Sequence, residues 1–132
     1  MPPGVVLGDL VVAAILDDRQ LRELSALAAQ YGLACLFEAH TEVEVKRCAD
    51  CGAAIIGINN RDLKSMAVDL ATFEALRRHV PPGVLAVAES GIRTAGDARR
   101  MRDAGADAIL VGESLMRAPD AAAALRELRG SP

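Results

Sequence analysis

The chain has 132 residues, 52 % of them hydrophobic and 25 % charged, with a formal net charge of -3. That is one domain's worth of sequence with enough apolar material for one core, which excludes a disordered chain. The near-neutral charge excludes a broad basic surface for nucleic acid or acidic lipid.

Aromatic residues are only 2 %, with no Trp, one Tyr and two Phe. Stacking platforms are therefore scarce, and the core must be built from Val, Ile, Leu and Ala. Such a composition suits buried parallel strands under Ala-rich helices. No apolar run reaches the roughly 18 residues of a membrane span. Met1-Pro2-Pro3-Gly4 lacks the charged and apolar regions of a signal peptide. Three cysteines do not make a disulfide framework. A reducing cytoplasm is the expected location.

Apolar runs and helical patterns alternate along the chain. Leu10 to Leu16 is the first run. Asp17 and Asp18 then open a helix with Leu21, Leu24, Leu27 and Ala28 on one face. Gly32 ends it, and Leu33 to Phe37 is the second strand. Thr41 and Glu44 have capping-box spacing at the next helix start, and Gly52 closes that helix. Ala53 to Ile58 is the third strand, followed by a loop from Asn59 to Val68. Asp69 caps a helix running to about His79, and Val84 to Ala88 is the fourth strand. Thr94 and Asp97 begin a helix that ends at Gly105. Ala108 to Val111 is the fifth strand, and a last helix spans about Asp120 to Arg129. Glycines 32, 52, 83 and 105 each stand just before a strand.

This alternation implies βαβ units and a parallel sheet. Right-handed crossovers then leave two architectures: an open doubly wound sheet, or part of a (β/α)8 barrel. In both, reactive residues gather at the carboxyl ends of the strands. Strand two ends in Glu38, strand three in Asn59, Asn60, Arg61 and Asp62. Strand four ends in Glu89-Ser90-Gly91 and strand five in Gly112-Glu113-Ser114.

Ser90-Gly91 and Gly112-Glu113 fit a phosphate cradle, because glycine lets backbone N–H groups approach an anion. In the bland alternative they merely permit tight turns. Glu38 and Glu89 are candidate acid–base groups, since partial desolvation at a barrel mouth raises a carboxyl pKa. The alternative for each is an ion pair with Arg61 or Arg93. Asn59 suits substrate hydroxyls, or is a turn residue. Arg61 suits a carboxylate or phosphate, or a salt bridge with Asp62 or another rim acid.

Cys48-Ala49-Asp50-Cys51 is formally a C-x-x-C, but it falls at a helix end rather than at the helix start a redox pair needs. Cys35 and His40 are the only further metal-ligand types near it, so no metal site is expected. His40 helps close the rim without being catalytic, and His79 is an ordinary helix-end residue. There is no GxGxxG and no Walker motif.

GINNRDLK (Gly57 to Lys64), AESGIRT (Ala88 to Thr94) and GADAILVGESLMRAPD (Gly105 to Asp120) resemble strands six, seven and eight of indole-3-glycerol-phosphate synthase. LFEAHTEVE (Leu36 to Glu44) is similar to strand five, and AAILDDRQL (Ala13 to Leu21) to the segment after strand four. The resemblance covers nearly the whole chain from Gly8 onward. It implies a (β/α)8-barrel enzyme of tryptophan biosynthesis. Such an enzyme closes the indole ring of 1-(o-carboxyphenylamino)-1-deoxyribulose 5-phosphate with loss of CO2 and water, and uses no cofactor. It also implies roles. Glu38 supports acid–base chemistry, Asn59 and Arg61 contact substrate, and Glu89 faces the closing ring. Ser90, Gly91, Gly112 and Glu113 hold the phosphate, mostly through backbone N–H groups. A phosphoribosyl isomerase of the same pathway has a different strand-six pattern.

The family's strand-one glutamate and lysine have no counterpart here, nor does the general-acid lysine of strand three. The two lysines present, Lys46 and Lys64, do not fall at strand ends. A complete barrel of this kind takes about 250 residues. The expectation is one incomplete barrel domain over residues 1–132, truncated and very slow alone. It would depend on an N-terminal barrel segment or on self-association. The competing reading is a non-catalytic phosphate-binding half-barrel.

Overall fold

The structure, a computed structural model, describes residues 8–130; the Met1-Pro2-Pro3-Gly4 reading lies outside them. Five strands are observed: β1 (Gly8–Val12), β2 (Ala34–Ala39), β3 (Ile55–Asn59), β4 (Leu85–Glu89) and β5 (Ala108–Leu110). The helices are α1 (Asp18–Gln30), α2 (Glu42–Asp50), α3 (Ala71–Leu76), α4 (Ala95–Asp103), α5 (Glu113–Arg117) and α6 (Ala121–Arg129).

Local chemistry sets the helix starts. Asp17, Thr41 and Thr94 each close a capping box, with Gln20, Glu44 and Asp97 returning the bond. Asp69 accepts from the Ala71 N–H at 2.9 Å and Asp120 from the Ala123 N–H at 3.0 Å. Gly32, Gly52, Gly83 and Gly105 all have positive φ, so the predicted stops before strands two to five are real.

All pairings are parallel and the strand order is β1-β2-β3-β4-β5. A doubly wound sheet requires the order to reverse at a switch point. Here it never does, so right-handed crossovers put every helix on one face. The barrel arc is therefore the architecture, and the doubly wound alternative is set aside. The helix-covered face carries Phe37, Ile56, Ile58, Ala86 and Ala88, each at most 1 % exposed. Leu21, Val45, Phe73 and Met101 pack on it from the helices.

The opposite face corresponds to a barrel lumen. Leu10, Leu85 and Leu110 stand there about half exposed, at 49 %, 51 % and 50 %. The register aligns Val12, Glu38, Gly57, Val87 and Ala108 in one row across this face. Asn59, Glu89 and Leu110 form the next row toward the carboxyl ends.

The structure differs from expectation at two element ends, at one exposed leucine and at one added helix. The first apolar run is strand only to Val12; Ala13–Ile15 coil into a 3-10 turn. Arg47 holds that turn, donating to the Ala13 and Leu16 carbonyls and to Asp18. Leu27 is 49 % exposed rather than in the core, because α1 buries Leu21 and Ala28. The helix after Asp69 is α-helical only to Leu76 and finishes as a 3-10 turn over Arg77–His79. Helix α5 was not expected: it is a single short turn between Gly112 and Ala118, without an apolar period of its own.

Candidate functional site

Four polar residues are buried at the carboxyl ends of the central strands: Glu38 (9 % exposed), Asn59 (5 %), Asn60 (1 %) and Glu89 (3 %). Alternation along a strand decides this, since Glu38, Asn59 and Glu89 fall on the lumen side, opposite the core residues that flank them. Burial raises the Glu38 pKa, while a hydrogen bond from the Asn59 side chain opposes the rise. Glu89 is pushed up to about 8, first by burial and then by the neighbouring Glu38 charge. Its Oε2 atom is buried and has no hydrogen-bond partner among the described residues. Neither carboxylate forms an ion pair among the described residues, and Arg61 pairs with Glu113 instead, so the structural-pair alternative with Arg61 or Arg93 is not seen.

Arg61 instead donates through Nη2 to Glu113 Oε2 at 3.3 Å, bridging the β3 and β5 ends. Its backbone N–H donates to Asn59 Oδ1 at 2.9 Å, so Asn59 also shapes the turn. Glu113 is shared with Arg117, 3.0 Å away. Its carboxylate is thus engaged by two arginines, and a backbone role is what it has left for a ligand. His40 lies with Nδ1 2.6 Å from the Asn59 carbonyl oxygen, and buttresses the β3 end as expected of a rim residue.

The β4 corner is strained. Ser90 adopts φ +69°, rare outside glycine, and Gly91 follows at φ +77°. A Cβ on Gly91 would come within 2.5 Å of Val68 Cγ1, so glycine is required there. Asn60 clamps this corner: its Nδ2 donates to the Ser90 carbonyl at 3.2 Å. Its Oδ1 accepts from the Phe73 N–H at 3.0 Å, and its own N–H donates to the Glu89 carbonyl at 2.8 Å. Ser114 Oγ donates to the Ile92 carbonyl at 3.0 Å, tying β5's end to the same loop.

A cleft of ≈ 370 Å³ opens beside this corner. Of the eight site residues singled out from sequence, seven line it: Glu38, Arg61, Glu89, Ser90, Gly91, Gly112 and Glu113. Asn59 meets Glu38 instead. Arg93 and Ser114, to which the residue pattern alone gives no site role, also line the cleft. Their signal was position, just after Ser90-Gly91 and Gly112-Glu113. Asn60 was counted on the rim without a role, because only the fold reveals that its amide faces inward.

Neither lysine borders the cleft. Lys46 pairs with Glu42 on α2, and Lys64 lines a smaller hollow on the other side of Glu38. Cys48 is fully buried in α2 with its thiol pushed up to about 12, chiefly by burial, which opposes a redox role for the C-x-x-C. No group of three metal-ligating side chains is found among the described residues, and no helix among them is long and apolar enough to cross a membrane.

A parallel βα arc with its polar residues at the carboxyl mouth defines a protein of the (β/α)-barrel class. Solved structures share the fold: thiamine phosphate pyrophosphorylase from Pyrococcus furiosus has a TM-score of 0.74 at 22 % identity, covering 93 % of this chain and 57 % of that one. A native KDPGal structure has a TM-score of 0.64 at 22 % identity, covering 92 % and 58 %.

A sequence model of the indole-3-glycerol phosphate synthase family matches residues 7–128, and the chain belongs to that family. The indole-3-glycerol phosphate synthase of Ruminiclostridium cellulolyticum is 48 % identical over 122 residues, 92 % of this chain and 47 % of that protein. That of Leuconostoc mesenteroides is 46 % identical over 121 residues, 92 % and 46 %. The chain thus spans about half the length of the curated relatives it matches.

Proposed function

We propose that the chain provides the phosphate-holding and carboxylate-bearing part of an indole-3-glycerol-phosphate synthase. The reaction is ring closure of 1-(o-carboxyphenylamino)-1-deoxyribulose 5-phosphate, a carboxy-lyase step of tryptophan biosynthesis. One observation carries the reading: two buried carboxyl groups without an ion-pair partner among the described residues, Glu38 and Glu89, share a cleft with the strained Ser90-Gly91 corner.

The phosphate is held by backbone N–H groups around Ser90, Gly91, Gly112 and Glu113. Arg61 and Asn59 orient the rest of the substrate. The ring carbon bearing the carboxylate bonds to the ketone carbon, and the ketone oxygen takes a proton. CO2 departs, leaving its electron pair to restore the aromatic ring. The new hydroxyl then leaves as water as a proton is removed. Glu89, protonated near neutrality, is the donor this chain has to offer, and Glu38 is the acceptor. No cofactor enters, and the setting is cytoplasmic. The general-acid lysine that the resemblance assigns to strand three would come with the remaining βα units, because neither lysine here borders the cleft.

The open lumen face favours a second reading, a non-catalytic phosphate-binding half-barrel. One experiment separates the two. The chain is assayed for indole fluorescence with the substrate, alone and with the rest of the R. cellulolyticum relative supplied as a separate polypeptide. Turnover appearing on complementation, and lost in Glu38→Gln and Glu89→Gln, supports the synthase. Phosphate binding with no turnover in either mixture selects the half-barrel. Vigorous turnover by the chain alone refutes its dependence on further units.

A further inference from the structure

Glu89 can lie where it does only because of what is missing from its neighbour on β3. A Cβ built on Gly57 would stand 2.5 Å from Glu89 Oε2 and 2.8 Å from its Cδ. The third contact, Leu36 Cδ1 at 3.1 Å, closes the other side. Real Cβ atoms essentially never approach heavy atoms so closely, so an alanine here would displace the carboxyl. Backbone conformation does not explain the glycine: Gly57 is an interior strand residue without positive φ. Nor is it a gap in the packing, because the space over it is filled by the Glu89 carboxyl itself. The register sets Gly57 between the strands that carry the two carboxyl groups. Gly57 pairs directly with Glu38 on one side and with Val87 on the other, two residues before Glu89. The bare backbone of β3 is therefore the floor on which the β4 carboxyl reaches toward the β2 carboxyl.

We propose that Gly57 is a positioning residue: its missing side chain forms the seat that holds the Glu89 carboxyl buried against β3 beside Glu38. The inference rests on the functional reading only for its catalytic consequence; the seat itself is a statement about two side chains. With the seat filled, Glu89 must swing toward the open lumen side, the direction in which the sheet face is uncovered. Its carboxyl then regains water and moves away from the Glu38 charge. The charged and titratable groups bordering it are Glu38 on β2 and, around the cleft mouth, Arg61, Arg93 and Glu113.

The test is a double-mutant cycle with a readout besides turnover. Gly57→Ala, Glu89→Ala and the double variant are compared by thermal unfolding. The Glu89 carboxyl is followed by carbon-13 NMR in chains labelled at glutamate, with its resonance assigned by its loss in Glu89→Gln. In Gly57→Ala the Glu89 midpoint should fall from about 8 by roughly a pH unit or more. At pH 5, where Glu89 is protonated, the melting temperature should drop, and Glu89→Ala should recover most of that loss; the drop should shrink by pH 8, because the released carboxyl ionises freely.

An unchanged Glu89 titration in folded Gly57→Ala overturns the proposal. So does an equal penalty for Gly57→Ala in the Glu89→Ala background. Should Gly57→Ala not fold, a folded double variant still supports the clash, and a double variant that also fails to fold overturns it. If the cycle holds but complemented chain shows no turnover, the synthase reading fails and the seat stands.

Discussion

Replacing Glu89 by Gln should change how stability depends on pH more than it changes stability at any one pH. In the folded chain this carboxyl holds its proton up to about 8, against 4.5 ordinarily. The folded state therefore binds the proton more tightly than the unfolded chain. The contribution is fully present below pH 4.5 and is lost as pH rises through 8. At ~1.4 kcal/mol per tenfold in proton affinity, the loss is about 3 kcal/mol by pH 7 and approaches 5 kcal/mol above pH 9. Glu89→Gln keeps the shape and removes the ionisation. Its amide is left short of partners, a cost of about 1–3 kcal/mol that does not vary with pH. The assay is urea unfolding of both proteins at pH 5, 7 and 9. With slopes of about 1–3 kcal/mol per molar, the difference between their midpoints should move by more than 1 M across that range. A midpoint difference that stays constant from pH 5 to 9 would show that Glu89 is ionised and solvated in the folded chain.

Asn60→Ala should cost about 2–3 kcal/mol in urea, because the Ser90 carbonyl and Phe73 N–H each lose a buried partner; unchanged stability would show the clamp to be idle. Ser90→Gly should stabilise the chain by about 1 kcal/mol by relieving the φ of +69°, while weakening binding of inorganic phosphate in calorimetry. A less stable Ser90→Gly would remove the argument that strain is stored at that corner. Arg47→Ala should cost about 1.5–3 kcal/mol in thermal unfolding, and Arg47→Lys should recover only part, since one ammonium cannot span Ala13, Leu16 and Asp18. Cys48 should resist iodoacetamide at pH 8 until the chain unfolds, its thiol being buried and pushed up to about 12; mass spectrometry showing rapid native modification would contradict its burial.

Much of this molecule was legible in the residue order because local rules and global topology agree in it. Three capping boxes and four pre-strand glycines fix where α1, α2 and α4 begin and where β2 to β5 start. The polar residues after each apolar run landed on one rim because parallel strands place all their carboxyl ends together. What remained hidden depends on contacts across the sheet. Ala13–Ile15 read as strand because they are apolar, yet β1 stops at Val12 and Arg47, from another helix, fastens the turn. Helix α5 has five residues, too few to show a period. Gly57 looked like one residue of a family motif, and its role appears only when Glu89 is found lying over it. The partner of Arg61 was open between Asp62 and another rim acid, and it is Glu113 on the far side of β4.

The burial of Glu89 has a further implication for how these five βα units act. Glu89 is 3 % exposed although the lumen face around it carries leucines about half exposed. Its desolvation is therefore produced within the described residues: Gly57 below, Glu38 beside it and the Ser90-Gly91 corner above. The acid–base asymmetry between the two carboxyl groups belongs to this part of the barrel and does not wait for closure. Polypeptide laid over the open face would remove the remaining water and push both carboxyl groups higher. Asn59 continues to hold Glu38 down, whereas no group among the described residues lowers Glu89. The Glu89 midpoint, followed by carboxyl NMR, should accordingly rise on complementation. A midpoint that falls instead would mean that a cation of the added units, such as the strand-three lysine the resemblance implies, lies against Glu89 and outweighs the lost water.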